Sequence, residues 1–233
     1  MLSLNNTTLV IVDTVEERRD YIKNLLDKLQ TKISFHDVIV FSDKPLPDYK
    51  TIYIPTINTL HEYSLVCYDV IPPQVKSDYS MWIQWDGHPL NIDNWTDEFY
   101  KYDYIGAPWP WKAGNYRDGG SSGNGGFSFR TKKFTDLMTT LPRWGKMEWA
   151  HEDGTVCDIA RKKFLSEGCQ YAPYEIMGKF SFELPCKYMN LMNVEQSVAM
   201  DLSEADFSIE ECFGWHNKFL MEKAKSIFER NFN

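Results

Sequence analysis

Apolar positions along the chain switch between two rhythms, and the switching predicts strands and helices in turn. Residues 8–13, Thr-Leu-Val-Ile-Val-Asp, form an unbroken apolar run ended by an acid, the pattern of a strand buried on both faces. Ile22, Leu25, Leu26 and Leu29 then recur at i, i+3, i+4 and i+7, which places one apolar stripe along a helix. Residues 37–41 predict a second buried strand ending in Ser42-Asp43, and 51–54 a third, stopped by Pro55. Strand, helix and strand in this order predict a doubly wound α/β sheet.

The pattern continues through the rest of the chain. Residues 60–70 predict a helix ended by Pro72-Pro73, and 80–85 a strand that delivers Asp86-Gly87 at its carboxyl end. A short amphipathic helix over 94–100 and a strand over 102–105 follow. Residues 114–126, dense in glycine, serine and asparagine, read as a loop of the functional kind. Next come a strand over 127–130 and a helix with Phe134, Leu137, Met138 and Leu141 on one face. His151-Glu152-Asp153-Gly154 leads into a helix expected to bury Val156, Ile159, Ala160 and Phe164. The tail reads as a strand end at 213–216 and a helix carrying Leu220, Ala224 and Ile227. No internal repeat or linker interrupts the 233 residues, which suits a single compact domain.

Composition narrows the function classes. Hydrophobic residues at 43% supply a core and exclude a disordered chain. A net charge of -8 opposes a broad phosphate-gripping surface. It leaves room only for a local basic groove, for which Arg130, Lys132, Lys133, Arg161, Lys162 and Lys163 are the candidates. The five cysteines are odd in number and contain no CxxC pair, so free thiols in a reducing compartment are expected. The first residues lack a basic segment followed by an apolar one, and no apolar run approaches the ~20 residues of a membrane span. A soluble, cytoplasmic protein is expected. Eight tryptophans, several of them close to the polar motifs, suit a sugar, whose C–H faces pack on rings while its hydroxyls take hydrogen bonds.

Open α/β sheets bind ligands at the carboxyl ends of their strands, so Asp13, Asp43 and Asp86 are candidates. Each also fits a role as a helix cap. In Gln84-Trp85-Asp86-Gly87, the carboxylate can hold a divalent cation against a diphosphate, although Asp-Gly is equally a common turn. Glu152 and Asp153 either cap a helix or supply the carboxylate that takes a proton from an acceptor hydroxyl. His216 reads as a metal ligand or as a satisfied core histidine. The glycines of 123–126 match neither a Walker loop nor a dinucleotide fingerprint. They can let backbone approach a ligand, or form a plain turn.

Several strings in order carry a resemblance: Gln84-Trp85-Asp86-Gly87, then Asp103-Tyr104-Ile105-Gly106-Ala107-Pro108-Trp109, then Gly123-Asn124-Gly125-Gly126-Phe127-Ser128-Phe129-Arg130. Glu152-Asp153, Ala172-Pro173, Phe180-Ser181-Phe182-Glu183 and Phe213-Gly214-Trp215-His216 complete it. Over about residues 8 to 217 the chain resembles a bacterial and phage family of glycosyltransferase-like proteins known as a domain of unknown function, the DUF5672 type. The resemblance implies a GT-A-like fold, a Rossmann-type mixed sheet flanked by helices. A nucleotide-sugar half would span about 1–105 and an acceptor half about 106–233.

The activity implied is transfer of a sugar from a nucleoside diphosphate sugar to the hydroxyl of a saccharide or other acceptor, with inversion. Asp153 would be the base, with Glu152 the competing choice. Asp86 and His216 would hold Mn²⁺ or Mg²⁺, although Gln84 stands where the first acid of an Asp-x-Asp motif is expected. Asp13, Thr14 and Asp43 would meet base and ribose, and Tyr63, Ser64 and Gln84 would line the donor site. Trp109, Asn124, Gly125 and Gly126 would shape the sugar and acceptor pocket, with the run before Gly123 as a lid. Two other readings compete: a phage enzyme that glycosylates a hydroxylated DNA base, and a non-catalytic nucleotide or sugar binder. A metal phosphohydrolase lacks the histidine-rich cluster that two metals require.

Overall fold

The computed structural model describes residues 1–109, 123–141, 151–183 and 207–232. Strand β1 (Leu2–Val12) is central, parallel to β2 (Ile33–Ser42) on one side and to β4 (Tyr79–Ile83) on the other. Its successive residues enter opposite cores, Leu9 and Ile11 one, Val10 and Val12 the other. A strand covered on both faces needs no polar alternation, which accounts for the unbroken apolar run. β3 (Lys50–Tyr53) extends the sheet parallel to β2. Beyond β4, β7 (Gly123–Thr131) and β6 (Tyr104–Pro108) add antiparallel, giving a six-stranded mixed sheet in the order β3-β2-β1-β4-β7-β6. A smaller sheet, β5-β9-β8, joins β5 (Gly87–Pro89), β9 (Gly214–His216) and β8 (Ser181–Phe182).

Helices cover both faces. α1 (Arg19–Lys32) returns the chain from β1 to β2 and buries Ile22, Leu25, Leu26 and Leu29, the stripe read from the sequence. α2 (Leu60–Leu65) begins with a reciprocal cap: Thr59 Oγ1 accepts from the Glu62 amide at 3.1 Å and Glu62 accepts from the Thr59 amide at 3.0 Å. α3 (Lys132–Thr139), α4 (Glu152–Gly154) and α5 (Arg161–Ser166) lie along the later part of the chain, with α6 (Tyr174–Phe180) and α7 (Met221–Phe232) after them. α1, α6 and α7 pack into the core beneath Leu9 and Ile11. α3, α5 and the wide turn after α2 pack into the other core.

Some expectations shift. β1 begins at Leu2 rather than Thr8, with a register shift between Leu4 and Thr8. The segment expected as a helix over 94–100 is a pair of 3-10 turns, Ile92–Asn94 and Asp97–Lys101. Ile159, expected inside, is 36% exposed, because the turn Thr155–Ile159 is wider than an α-helix and rotates it outward. Most consequentially, 123–126 is strand rather than loop. Gly106 on β6 and Gly123 on β7 let the two backbones touch: a Cβ at Gly123 would lie 2.9 Å from Gly106 Cα. The expected lid over 114–122 lies outside the described residues.

Candidate active site

β4 ends at Ile83, and the backbones of Gln84 and Gly87 then bond each other, at 2.8 and 3.2 Å. Trp85 and Asp86 are thus the two central residues of a tight hairpin into β5, not the end of a strand. The hairpin tip meets the chain just after β1, where Asp13 and Thr14 line the same cleft of about 420 Å³. Asp13 accepts from the Val15 amide at 2.7 Å and from Arg18 at 3.3 Å. Burial holds its carboxyl above the ordinary value, against the opposing pull of the Val15 amide and Arg18. Thr14 Oγ1 accepts from the Ile57 amide at 3.0 Å. Asp86 Oδ1 is buried and has no hydrogen-bond partner among the described residues. Asp43 accepts from Thr56 Oγ1 at 2.7 Å and lines neither this cleft nor the next.

A second pocket of about 140 Å³ shares Leu60, Tyr63 and Gln84 with the first. Its back wall is made by β7. Gly106 pairs with Ser128 and Ala107 with Asn124, so 125–127 are left out of the β6 register and bulge. The bulge carries Gly125 and Gly126 into the pocket, with Asn124 Oδ1 accepting from the Gly126 amide at 2.6 Å. Asp153, in the first turn of α4, accepts from the Gly125 amide at 3.2 Å and lines the pocket. Its neighbour Glu152 also lines the pocket, but its carboxylate is held in an ion pair with Arg130 at 2.5 Å. Burial raises the Glu152 carboxyl, partly offset by Arg130.

His216 closes the pocket from β9. Its Nδ1 faces Glu183 Oε2 at 3.2 Å and its Nε2 faces Gln84 Oε1 at 3.4 Å, while Gln84 Nε2 donates to Tyr63 Oη at 2.8 Å. Burial would lower the imidazole's pKa, but the carboxylates of Glu183, Asp86 and Asp153 together outweigh it and the net shift is upward. A carboxylate behind one ring nitrogen orients the other, the arrangement found behind metal-binding histidines. Asn217, next in sequence, takes a φ of 132° and donates its amide to the Asp86 carbonyl at 2.9 Å. This strained link and the Gly87–His216 pairing bring the Asp86 and His216 segments together.

Among the described residues, no three His, Cys, Asp or Glu side chains form a metal cluster. The donor set nonetheless fits a divalent cation of the kind that takes only one or two protein ligands and completes its shell with substrate phosphates. Of the two expected ligands, Asp86 Oδ1 is buried with no hydrogen-bond partner among the described residues, and His216 Nε2 would have to exchange its contact with Gln84 Oε1 for the ion.

Of the remaining expected residues, Tyr63 and Ser64 line the smaller pocket, Ser64 donating to the Leu60 carbonyl at 2.8 Å. Trp109 is half-buried against a core and lines neither cleft. Two of the six candidates for a basic groove are withdrawn from the surface, Arg130 fully buried and Arg161 buried 4.0 Å over the Tyr171 ring, and Lys132 is paired with Asp136. Sequence reasoning missed the roles of Arg130 and Glu183. The available signal was a charge placed at the end of an apolar strand, Phe127-Ser128-Phe129-Arg130, where burial demands a partner. No described helix is long and apolar enough to cross a membrane, and the described cysteines, Cys67, Cys157, Cys169 and Cys212, are free and buried.

No curated protein matches the sequence. The profile of a family described as a protein of unknown function, DUF5672, matches residues 57–200. Among solved structures, the chain is similar to a glycosyltransferase involved in glycosylation of the major capsid of PBCV-1. That match has a TM-score of 0.53 at 11% identity, covering 95% of this chain and 98% of that one. It is also similar to the apo-form glycosyltransferase GlyE of Streptococcus pneumoniae TIGR4, with a TM-score of 0.53 at 14% identity, covering 95% of this chain and 59% of that one. The fold is that of GT-A glycosyltransferases, a mixed sheet flanked by helices.

Proposed function

This chain belongs to the DUF5672 family, and from that premise and the geometry above we propose that it is a glycosyltransferase. The donor, a nucleoside diphosphate sugar, lies in the larger cleft with its nucleoside against Asp13 and Thr14. The acceptor hydroxyl enters the smaller pocket beside Asp153. The observation that carries this reading is the meeting of the two clefts at Tyr63 and Gln84, with an unpartnered Asp86 oxygen on one side and Asp153 on the other. A two-substrate transfer needs that juxtaposition, whereas a simple binding protein does not.

Asp153 accepts the proton as the acceptor oxygen bonds to the anomeric carbon, and the bond to the diphosphate oxygen breaks on the opposite face, giving inversion. The Gly125 amide, bonded to Asp153, holds the carboxylate in place. Asp86 and His216 would hold Mn²⁺ or Mg²⁺, which supplies neutralisation of the leaving diphosphate. Tyr63 and Gln84 position the sugar between the two clefts.

A thermal-shift screen of nucleoside diphosphates and their sugars, with and without Mn²⁺, tests the reading, because a ligand of the native state raises its stability by mass action. A donor that stabilises the protein and is turned over, by transfer or slow hydrolysis, is expected. Stabilisation without turnover would make the protein a binder. No stabilisation by any nucleotide would remove the proposal.

A further inference from the structure

Asp13 and Asp86 give the larger cleft two carboxylates, a poor lining for a diphosphate by themselves. Among the described residues lining the two clefts, Arg18 is the lone arginine or lysine. It ends the short turn Glu16–Arg18 after β1, its amide bonded to the Val15 carbonyl at 3.1 Å. Its guanidinium carbon lies 4.1 Å from the centre of the Trp85 ring, and Nη1 reaches Asp13 Oδ2 at 3.3 Å. Two separate elements, the turn after β1 and the hairpin tip after β4, therefore converge on one cation. The Arg18 side chain is 35% exposed, whereas that of Asp13 is 6% exposed.

A guanidinium stacked by its face keeps its N–H donors in its own plane, clear of the ring that supports it. That geometry suits phosphate, which accepts two parallel bonds from one fork. Among the described residues Asp13 engages Nη1 alone, so the bond to Asp13 can be kept while the other N–H donors of the guanidinium meet phosphate oxygens. We propose that Arg18, braced by Trp85 and Asp13, is the diphosphate-binding side chain of this cleft. The inference rests on the donor reading above and deepens it, because it makes a pyrophosphate ester the recognised group and assigns the recognition to a side chain rather than to a metal alone. Trp85 and Asp13 act as positioning residues.

Calorimetric titration in the presence of a chelator tests this, with inorganic pyrophosphate, uridine and guanosine diphosphates, and the matching nucleosides as probes. Arg18→Gln should weaken pyrophosphate and diphosphate binding roughly 10–100-fold and leave nucleoside binding unchanged. Arg18→Lys should fall between, since it keeps the charge and loses the fork. Equal melting temperatures would establish that the variants are folded. If nucleoside affinity falls in step with diphosphate affinity, Arg18 only props the wall and the proposal fails. Pyrophosphate binding that is absent, or the same in wild type and Arg18→Gln, also overturns it. Pyrophosphate binding that depends on Arg18, with no nucleotide binding more tightly, would uphold the anion site and remove the donor reading instead.

Discussion

Glu152 and Arg130 form a two-pronged ion pair sealed inside the protein, with Oε1 at 2.5 Å from Nη1 and Oε2 at 3.3 Å from Nη2. The same guanidinium stacks 3.7 Å over Trp82 and donates to the Gly125 carbonyl at 3.3 Å. It therefore ties the β7 bulge to the first turn of α4, the two elements that place Gly125 and Asp153. Both Glu152 oxygens are committed to this bracing, and the side chain is 4% exposed. Both acids line the smaller pocket, and this pairing is what favours Asp153 over Glu152 as the proposed base.

Glu152→Gln should accordingly act on stability. A buried pair adds little over an apolar core, but removing one partner strands the other charge, at a cost of roughly 3–5 kcal/mol. Urea denaturation should show that loss. A variant as stable as wild type would mean that Arg130 is compensated elsewhere.

Asp86→Asn should behave in the opposite way. Its Oδ1 is buried without a hydrogen-bond partner among the described residues, so removing the charge breaks no described hydrogen bond at that oxygen. The fold should hold in denaturation, while Mn²⁺-dependent donor turnover should be lost. Wild-type turnover in this variant, with Mn²⁺ present, would take Asp86 out of the metal site.

Gly126→Ala should be folded and poorly active. A Cβ there would collide with His216 Nε2 and Gln84 Oε1, the contact that joins the two clefts. The His216 ring and the Gln84 amide would have to shift from their present places, so the Mn²⁺ concentration needed for half-maximal turnover should rise if His216 is a ligand. An unchanged Mn²⁺ requirement would exclude His216 as a ligand.

How much of this was legible in the sequence depended on how far each feature reached. The α1 stripe and the β1 run were readable because burial imposes a local period on them. Asp153 was readable as an acid at the start of a helix, whereas Asp86, expected at a strand end, lies in the tip of a hairpin that only the Gln84–Gly87 pairing reveals. The bulge was not readable, because a glycine-rich string looks like a loop until β6 pairs with it. Arg130 was legible only in part: its place at the end of an apolar strand hints at burial, but its partner Glu152, 22 residues on, appears only when the chain is folded. Arg18 was hidden in the charged run Glu16-Glu17-Arg18-Arg19-Asp20, where nothing local distinguishes the one side chain that meets Trp85.

Acid should destabilise the protein through His88. Burial pushes its imidazole down to about 4, despite the Pro89 carbonyl beside it. The ring sits edge-on to Trp215 and Phe228 in the core. A folded-state value below the unfolded 6.5 means the unfolded chain takes up the proton first. Stability present above about pH 6.5 is thus lost as pH falls toward 4, by on the order of 3 kcal/mol for this one group. In His88→Phe, the drop between pH 7 and pH 4 should shrink by about that amount. An equal drop in both proteins would assign acid sensitivity to other groups.

The sharpest expectation concerns Asp153. It faces the smaller pocket, accepts from the Gly125 and Gly154 amides at 3.2 and 2.7 Å, and has no cation paired with it among the described residues. Two amide donors orient the carboxylate and leave lone pairs for an acceptor proton. Asp153→Asn keeps the shape and, through its one carbonyl oxygen, one of the two amide bonds, which reach different oxygens of Asp153, so the fold should hold with a modest loss of stability and donor affinity should be preserved. It cannot take a proton, and transfer should slow by ~10²–10⁴. The comparison with Glu152→Gln separates the roles: one variant should be stable and slow, the other unstable, with its activity loss following its unfolding. If Asp153→Asn transfers at the wild-type rate, the acceptor proton leaves by another route and inversion loses its base. If its donor affinity collapses along with the rate, Asp153 belongs to the donor site, and the division of labour between the two clefts must be redrawn.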